Sequence, residues 1–339
     1  MNRLFFASAS PRPTALGWAL ALAFLALFTA GCGAQREVRV IKLAHGLDSS
    51  HPVHKAMAHM AKRLAEKSGG TMRIDIYTSE QLGNERECVE LVQLGGLGMT
   101  KVSGSVLEAF ANDYKVFGLP YLWRSEEHKL AVWEGPVGRD ILVSPESKFI
   151  RGLCYYESGS RSFYTKDRPI RTPDDIAGLK IRVQESPMAF ALIRAFGGSA
   201  TPISFGELYT ALQQGVVDGA ENNPPSFHLS RHYEVCKYYS LDEHTTIPDV
   251  LIVSTHLWAS LTAEQQVWMQ ESADESAAVQ RSLWGEATAT ALAEVAKAGV
   301  EIIRPDKALF AARAAKLHED AQKDPLIGPL VRRIAEVKP

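Results

Sequence analysis

Strand-like and helix-like patterns of apolar residues follow one another along most of the chain. Val38 to His45 alternates and predicts a strand, and Val53 to Lys67 has the spacing of an amphipathic helix that stops at Gly69-Gly70. The elements that continue this series are a strand over Met72 to Tyr77, a helix near Glu85 to Leu94 and a strand around Met99 to Val102. This order is that of a βαβ series.

A second series of the same kind begins near residue 150. Its predicted elements are strands at Ile150 to Tyr156 and Leu179 to Val183, helices at Met188 to Phe196 and Phe205 to Gln214, and a strand near Val216 to Ala220. Because each series contains its own strands and covering helices, the sequence predicts two α/β lobes.

A long, alanine-rich helix is predicted late in the chain, from Thr262 to about Lys297. Thr262 and Gln265 occupy the positions of a capping box at its start. Such a helix is too long for one lobe, so we expect it to pack across both. Val300 to Ile303 and Asp306 to His318 then close the fold.

The amino terminus has the pattern of an export signal. Its first 13 residues carry two positive charges and precede the apolar run Leu16 to Phe28, which is shorter than the roughly 20 residues of a membrane span. The run ends at Thr29-Ala30-Gly31-Cys32, which predicts lipoprotein processing with Cys32 as the lipid-carrying first residue. Thr29 stands where leucine is usual, so cleavage by an ordinary signal peptidase is the alternative.

These patterns divide the chain into four parts. Residues 1–31 are the predicted signal peptide, 36–150 form mainly the first α/β lobe, 151–250 form mainly the second, and 251–339 contain a return segment, the long helix and the C-terminal helices. We expect the chain to cross between the lobes near Phe117 to Leu122 and near Asp249 to Ser254.

Composition narrows the class of protein. Hydrophobic residues make up 46% and charged residues 22% of the chain, as in a folded globular protein. The formal net charge is −2 and lysine and arginine form no long run, so nucleic acid is not an expected partner. Besides Cys32 and Cys88, the cysteines Cys154 and Cys236 either pair or remain ordinary buried thiols; a chain of this length does not need a disulfide.

Three motifs follow in order in the second lobe: Pro169 to Val183, Thr201 to Gln213 and Gly215 to Asn222. This ordered trio resembles the extracytoplasmic solute-binding subunits of tripartite ATP-independent periplasmic (TRAP) transporters, the DctP family. The resemblance covers essentially the whole mature chain. It implies a two-lobed, periplasmic-binding-protein-like α/β fold with a hinge, a central ligand cleft and a long helix spanning both lobes. It also implies capture of a small organic acid, without a cofactor, for delivery to membrane subunits.

Two arginines are the leading candidates for holding a carboxylate. Arg182, in Leu-Lys-Ile-Arg-Val, matches the arginine that forms a salt bridge with the substrate in the family. A guanidinium suits this role because its planar donors match a carboxylate bidentately and its charge survives desolvation. Arg161 matches a second arginine of the family. The alternatives for Arg182 are a solvated strand residue or a structural ion pair, and the alternative for Arg161 is a structural bridge to a neighbouring carboxylate.

The remaining site candidates come from both lobes. The resemblance places Asn222 on the ligand, where its amide both donates and accepts, and places Phe205 in the pocket wall. The alternatives are an asparagine that caps a turn and a core phenylalanine. Residues of the first lobe and the return segment that we expect to reach the ligand by position are His45, Glu85, Ser103 and Asp249, with His244 nearby. The alternatives are a structural, hydrogen-bonded histidine at His45 and an ordinary loop at His244 and Asp249.

The two candidate arginines, Arg182 and Arg161, predict that the ligand has a carboxylate but do not identify the acid. Glu221 to Phe227 and Arg231 to Thr245 resemble the subgroup that binds hexuronates such as glucuronate and galacturonate. A pool of polar residues around two arginines suits a ligand with several hydroxyls. The alternative is a C4-dicarboxylate or another carboxylate, since a second cation at Arg161 also suits a second acid group. A monomer is expected because the protein must open and close.

The signatures of exported enzymes are missing from the sequence. It contains no Gly-x-Ser-x-Gly, His-Glu-x-x-His or Cys-x-x-Cys motif, and Gly96-Leu97-Gly98 has Lys101 where a dinucleotide fingerprint needs glycine. The pairs His51/His54 and His228/His232 lack a third metal ligand, which favours surface histidines. An exported hydrolase and a ligand-sensing module of the same fold are the alternatives from other classes.

Overall fold

The computed structural model describes residues 38–339; the predicted signal peptide and Cys32 lie outside the described residues. The strands, in chain order, are β1 (Arg39–Ala44), β2 (Met72–Tyr77), β3 (Met99–Ser103), β4 (Ile150–Tyr156), β5 (Arg161–Thr165), β6 (Lys180–Val183), β7 (Ser199–Pro202), β8 (Gly219–Asn222), β9 (Tyr238–Thr245), β10 (Asp249–Ser254) and β11 (Glu301–Ile303).

Helices alternate with these strands. They are α1 (Pro52–Lys67), α2 (Glu85–Gln93), α3 (Gly104–Leu107), α4 (Glu126–Glu134), α5 (Pro136–Val143), α6 (Pro187–Ala195), α7 (Leu208–Gln213), α8 (Pro224–Leu229), α9 (Thr255–Ala259), α10 (Ala263–Lys297), α11 (Lys307–Lys323) and α12 (Gly328–Glu336). Short 3-10 helices lie at Asn112–Gly118, Ser144–Lys148, Pro173–Ile176 and His232–Glu234. Among these helices, none is long and apolar enough to cross a bilayer.

Each lobe is built on one sheet. The first has the order β2-β1-β3-β10-β4, in which β1, β2 and β3 are parallel and β10 is antiparallel to both of its neighbours. The second has the order β11-β9-β5-β8-β6-β7, with β5 antiparallel to β8 and β9. Two sheets with covering helices confirm the predicted two-lobed α/β fold.

Hydrophobic residues fill both faces of each sheet. In the first lobe, Phe117 and Trp133 pack on one face, while Met57 of α1 and Met269 of α10 pack on the other. In the second lobe the two faces are covered by α7 and α8 on one side and by α6 and α11 on the other. The central strands β3, β5, β8 and β10 are buried along their whole length, as expected for sheets sandwiched between helices.

The long helix α10 connects the two cores. Its first half contributes Met269 and Ala273 to the first lobe, and its last turns contribute Val295 to the second. Thr262 and Gln265 form the predicted capping box at its start. With 35 residues the helix is about 50 Å long, so one rigid element spans both lobes.

Two short segments carry the chain between the sheets. The first joins β4 to β5 across residues 157–160, and the second joins β9 to β10 across residues 246–248. In the first, Gly159 has φ 59°, and a Cβ there would lie 2.9 Å from the indole nitrogen of Trp284. A left-handed residue against α10 therefore favours glycine at this crossing.

Three sequence predictions need correction. The strand Ile150–Tyr156 belongs to the first sheet, because it pairs with β10, so the first lobe extends past residue 150. The expected crossing near Phe117 to Leu122 is wrong: Phe117 stays in the first core. The segment only contacts the second lobe, where the Tyr121 phenol donates to Asp242 O at 3.0 Å and Pro120 O lies within hydrogen-bond distance of His318 Nε2. Strand β8 begins at Gly219 rather than Val216, since its register follows β5.

The cysteines of the described chain are buried thiols. Cys88, Cys154 and Cys236 are all free. Cys154 packs in the first lobe beside α10 and Cys236 in the second lobe, so a bond between Cys154 and Cys236 is ruled out in this fold.

We predict that Gln280→Ala destabilises the unliganded protein by about 3 kcal/mol. Gln280 is fully buried in α10; its Oε1 accepts from Glu157 N at 2.7 Å and its Nε2 donates to Glu157 O at 2.8 Å. Truncation leaves two buried backbone groups of the crossing unpaired. Denaturant unfolding measures the loss. The exposed Gln322→Ala is the control, expected within about 0.5 kcal/mol of the parent; equal midpoints for both variants would contradict the role of Gln280.

Candidate ligand-binding site

The edges of the two sheets face each other across a cleft. In the first sheet, Ser103 at the end of β3 pairs with Asp249 at the start of β10. In the second, Asn222 at the end of β8 pairs with Ser162, beside Arg161 at the start of β5. Polar residues from separate strands therefore meet between the lobes, at the strand ends where ligands of α/β proteins bind.

A cavity of about 40 Å³ lies between these edges. Its lining includes six of the eight predicted ligand residues, namely Glu85, Ser103, Arg161, Phe205, Asn222 and Asp249. Other polar side chains in the lining are Lys101, Ser158, Gln184, Asn223 and Ser226. An adjoining space of about 40 Å³ shares Glu85, Gln184 and Phe205 with it and adds Arg182. The structure thus brings seven predicted residues to one cleft.

Arg182 is a buried cation without a carboxylate partner among residues 38–339. It lies on β6 between β7 and β8, and 2% of the residue is exposed. Its Nε donates to Ile203 O at 2.8 Å and its guanidinium carbon lies 6.0 Å from the Phe205 ring centre, but Nη1 has no hydrogen-bond partner. Burial lowers the pKa of Arg182 because the charged form has lost its water. An anionic ligand would supply the missing partner.

Arg161 is paired within the protein. Its guanidinium donates to both carboxylate oxygens of Glu221, with Nη2 to Oε1 at 2.8 Å, and Nη2 also donates to the backbone oxygen of that residue at 2.8 Å. Nη1 donates to Asn222 Oδ1 at 3.2 Å. The structural ion pair considered for Arg161 is therefore present, although Arg161 also borders the cavity. Arg161 can therefore present N–H donors of fixed orientation to the cavity, while its positive charge is neutralised by Glu221.

A second buried ion pair, His244 with Asp242, lies beside the Arg161–Glu221 pair. His244 Nδ1 lies 2.8 Å from Asp242 Oδ2, and its Nε2 lies 3.6 Å from Glu221 Oε2. Burial opposes the charge, yet Asp242 and Glu221 raise the pKa of His244 to about 9, so the imidazole is protonated. Burial likewise opposes ionisation of Glu221, while Arg161 and His244 lower its pKa to about 2. The positive charges of Arg161 and His244 are thus neutralised by the carboxylates of Glu221 and Asp242.

Asn222 connects this network to the cavity. Its Oδ1 accepts from Arg161 and from the backbone N–H of Asn223 at 2.9 Å. These bonds fix the side-chain orientation, and within the described chain no hydrogen bond engages the amide nitrogen. Asn222 can therefore donate to a ligand oxygen.

The first-lobe wall is organised around Lys101, which the sequence analysis did not select. Its ammonium donates to Glu85 Oε1 at 2.7 Å and to Asp249 Oδ1 at 3.3 Å. Burial opposes the charge, but Asp249 and Glu85 raise the pKa of Lys101 above its usual value. Ser103 Oγ donates across the cleft to Gln184 Oε1 at 3.1 Å.

His45 does not line the cavity. Its Nδ1 accepts from the Leu47 N–H at 3.1 Å, so the ring proton sits on Nε2, 3.0 Å from His54 Nδ1. Both ring nitrogens are used inside the first lobe, and burial lowers the pKa of His45 to about 3. The following residues, Gly46 and Leu47, border the cavity instead.

The two histidine pairs also differ from the expectation of surface residues. His51 is buried, where it caps α1 by accepting from Val53 N, and His232 is buried against the Tyr164 hydroxyl. In residues 38–339 no group of three or more metal-ligating side chains forms.

The signal that could have revealed Lys101 was a lysine within the strand Met99–Ser103, because a buried cation in a strand needs carboxylate partners.

Direct hydrogen bonds join the lobes around the cleft. Gly206 N donates to Glu80 Oε1 at 3.1 Å, and a Cβ on Gly206 would collide with the Glu80 carboxylate. Deeper in the interface, Glu108 Oε2 accepts from Ser186 Oγ at 2.9 Å and from Met188 N at 3.2 Å. The conformation is therefore closed, with contacts that separate if the lobes open.

The comparisons with known proteins agree with this architecture. The model of bacterial extracellular solute-binding protein family 7 (DctP) matches residues 43–324. A TRAP periplasmic solute binding protein from Xanthobacter autotrophicus with bound β-D-galacturonate has a TM-score of 0.85 and 36% identity, covering 88% of this chain and all of that chain. One from Anaerococcus prevotii with bound α/β-D-glucuronate has a TM-score of 0.86 and 36% identity, covering 88% of this chain and 98% of that chain.

Curated relatives include proteins for other acids. The C4-dicarboxylate-binding periplasmic protein DctP of Rhodobacter capsulatus is 32% identical over 242 residues, which is 71% of this chain and 72% of that protein. The chain therefore belongs to bacterial extracellular solute-binding protein family 7, the solute-binding subunits of TRAP transporters. This confirms the family that the motifs around Arg182 and Asn222 indicated.

We predict that the pH dependence of stability changes in Glu108→Gln. Burial raises the pKa of Glu108 from near 4.5 to about 8, and Oε1 has no partner among residues 38–339. The folded state therefore keeps a proton that the unfolded chain releases, so this group lowers stability as pH rises from about 4.5 to 8, by at most about 1.4 kcal/mol per pH unit. Glutamine mimics the protonated acid and removes this slope.

Melting temperatures between pH 5 and 8 test this prediction. The parent protein should lose more stability over the range than Glu108→Gln, and the exposed Glu319→Gln should follow the parent. Parallel curves for the parent and Glu108→Gln would show that Glu108 does not carry the proton.

Proposed function

We propose that this protein captures a hexuronate such as glucuronate or galacturonate in the periplasm and delivers it to a TRAP membrane complex. The observation that carries the proposal is Arg182, whose buried Nη1 has no hydrogen-bond partner within residues 38–339 and lies at the interlobe cleft. A carboxylate there would form a bidentate, charge-assisted pair. The solved relatives with bound uronates, at 36% identity, support the choice of acid.

The proposed binding mode assigns one task to each wall. Arg182 holds the carboxylate, with Asn222 and Arg161 donating to oxygens of the ligand from the second lobe. The first-lobe groups complete the shell as the lobes close and water leaves the cleft. Ligand then favours the closed form because only that form provides both walls.

Binding without chemical conversion is part of the proposal. We infer a binding protein rather than an exported hydrolase, because the family to which the chain belongs consists of solute-binding proteins. We further propose that it acts as a monomer tethered to the membrane through a lipidated Cys32.

We predict that Arg182→Ala weakens hexuronate binding by about 2 to 5 kcal/mol, because the ligand carboxylate loses its partner in a desolvated site. The experiment uses the chain lacking the residues before and including Cys32. A thermal-shift screen compares hexuronates, aldonates, C4-dicarboxylates, keto acids and sialic acid, since a ligand that binds only the folded state raises the melting temperature. Calorimetry then gives the dissociation constants.

The control is Arg194→Ala, which removes an exposed arginine of the same lobe and should bind as the parent does. A shift with succinate or malate in place of uronates would replace the hexuronate by a C4-dicarboxylate. Parent-like affinity of Arg182→Ala would remove the carboxylate clamp from the proposal.

A further inference from the structure

The two walls of the cleft differ in charge. On the second-lobe side, Arg161 is balanced by Glu221, and Arg182, which has no carboxylate partner in the described part of the chain, adds a net positive charge. On the first-lobe side, a single cation, Lys101, lies between the carboxylates of Glu85 and Asp249. That wall carries a net negative charge, so the cleft is polarised from one lobe to the other.

We propose that Lys101 and Asp249, supported by Glu85, form the specificity-determining subsite that binds two neighbouring hydroxyls of the ligand and rejects a second carboxylate. The inference rests on the proposed function and deepens it. It assigns Lys101 to ligand recognition and makes the ligand a monocarboxylate with a vicinal diol at the end opposite its acid group.

The hydrogen-bond capacity of the cluster matches a diol. An ammonium has three N–H donors, and Lys101 uses two of them, on Glu85 and Asp249. Asp249 accepts through Oδ1, while within the described chain Oδ2 accepts no hydrogen bond. A donor and an acceptor thus remain side by side. Two adjacent hydroxyls can use them together, one accepting from the ammonium and the other donating to the carboxylate.

The cluster is also poorly explained as a purely structural feature. Lys101 sits on β3, whose five residues are all buried, and replacing a buried ion pair by apolar side chains of similar size is often neutral or stabilising. All three residues border the interlobe cavity, and the side chains of Glu85 and Asp249 keep 13% and 12% of their surface exposed. Charge is therefore presented to the cleft rather than sealed in the core.

The same charges disfavour dicarboxylates. A second ligand carboxylate at this wall would face Glu85 and Asp249 with one ammonium between them, and like charges brought together in an interface cost affinity. Arg161 does not compensate, because Glu221 already holds its guanidinium. Hydroxyls carry no charge, so they meet no such repulsion.

Two variants test the subsite against one control. Lys101→Met keeps the length of the side chain without its charge, Asp249→Asn removes one negative charge at nearly constant shape, and Lys42→Met removes an exposed lysine on the neighbouring strand β1. Calorimetry measures dissociation constants for D-glucuronate, D-galacturonate and succinate with each protein. Melting temperatures of the unliganded variants establish that they fold.

We expect Lys101→Met and Asp249→Asn to weaken binding of the hexuronate by about tenfold or more, with Lys42→Met unchanged. Asp249→Asn should bind succinate more tightly than the parent does, which shifts the ratio of the two affinities. A damaged fold would lower both affinities together and leave that ratio unchanged.

Two results would overturn the subsite, and they are distinguishable from each other. Parent-like hexuronate affinity and an unchanged ratio in the folded variants would remove Lys101 and Asp249 from recognition while leaving the proposed function intact. Failure of the parent protein to bind any hexuronate would reject the proposed function itself, and the diol subsite with it.

Discussion

A guanidinium withdrawn from water without an internal anion is the constraint on which the cleft depends. Arg182 is placed there by β6, which lies between β7 and β8. Its Nε donates to Ile203 O, and its guanidinium lies near the Phe205 ring. Isolated buried charge is costly, so this arrangement is unfavourable until an anion arrives. In the proposed binding mode, the Arg182 guanidinium both attracts the ligand carboxylate and makes the unliganded site energetically unfavourable.

Among residues 38–339, the other buried charges of the second-lobe wall have partners of opposite charge, which leaves Arg182 as the unpaired cation of that wall. Arg161 with Glu221 and His244 with Asp242 form a closed network in which each charge has an opposite neighbour. Fully satisfied buried networks rigidify their surroundings. Asn222 is oriented by this network, so the second lobe presents one free charge within a fixed set of hydrogen-bond donors.

Closure depends on how the two sheets are connected. The crossings at residues 157–160 and 246–248 are short, and α10 packs on both cores. Gln280 of that helix pairs with the backbone of Glu157 in the first crossing. These few loop residues are where a hinge rotation of one lobe against the other would be absorbed, and the packing of α10 on both cores would restrain it.

Local signals were enough to predict several elements and the family. The helices α1 and α10 and the strand β2 follow from residue spacing and end signals within each segment, and the motif around Arg182 indicated the family. Contacts between distant segments could be read only from the folded chain. Lys101 meets Asp249 across 148 positions and Arg161 meets Glu221 across 60, and β4 joins the first sheet only through β10. No local pattern encodes such pairings, because strand partners and buried ion pairs are selected by the packing of the whole chain.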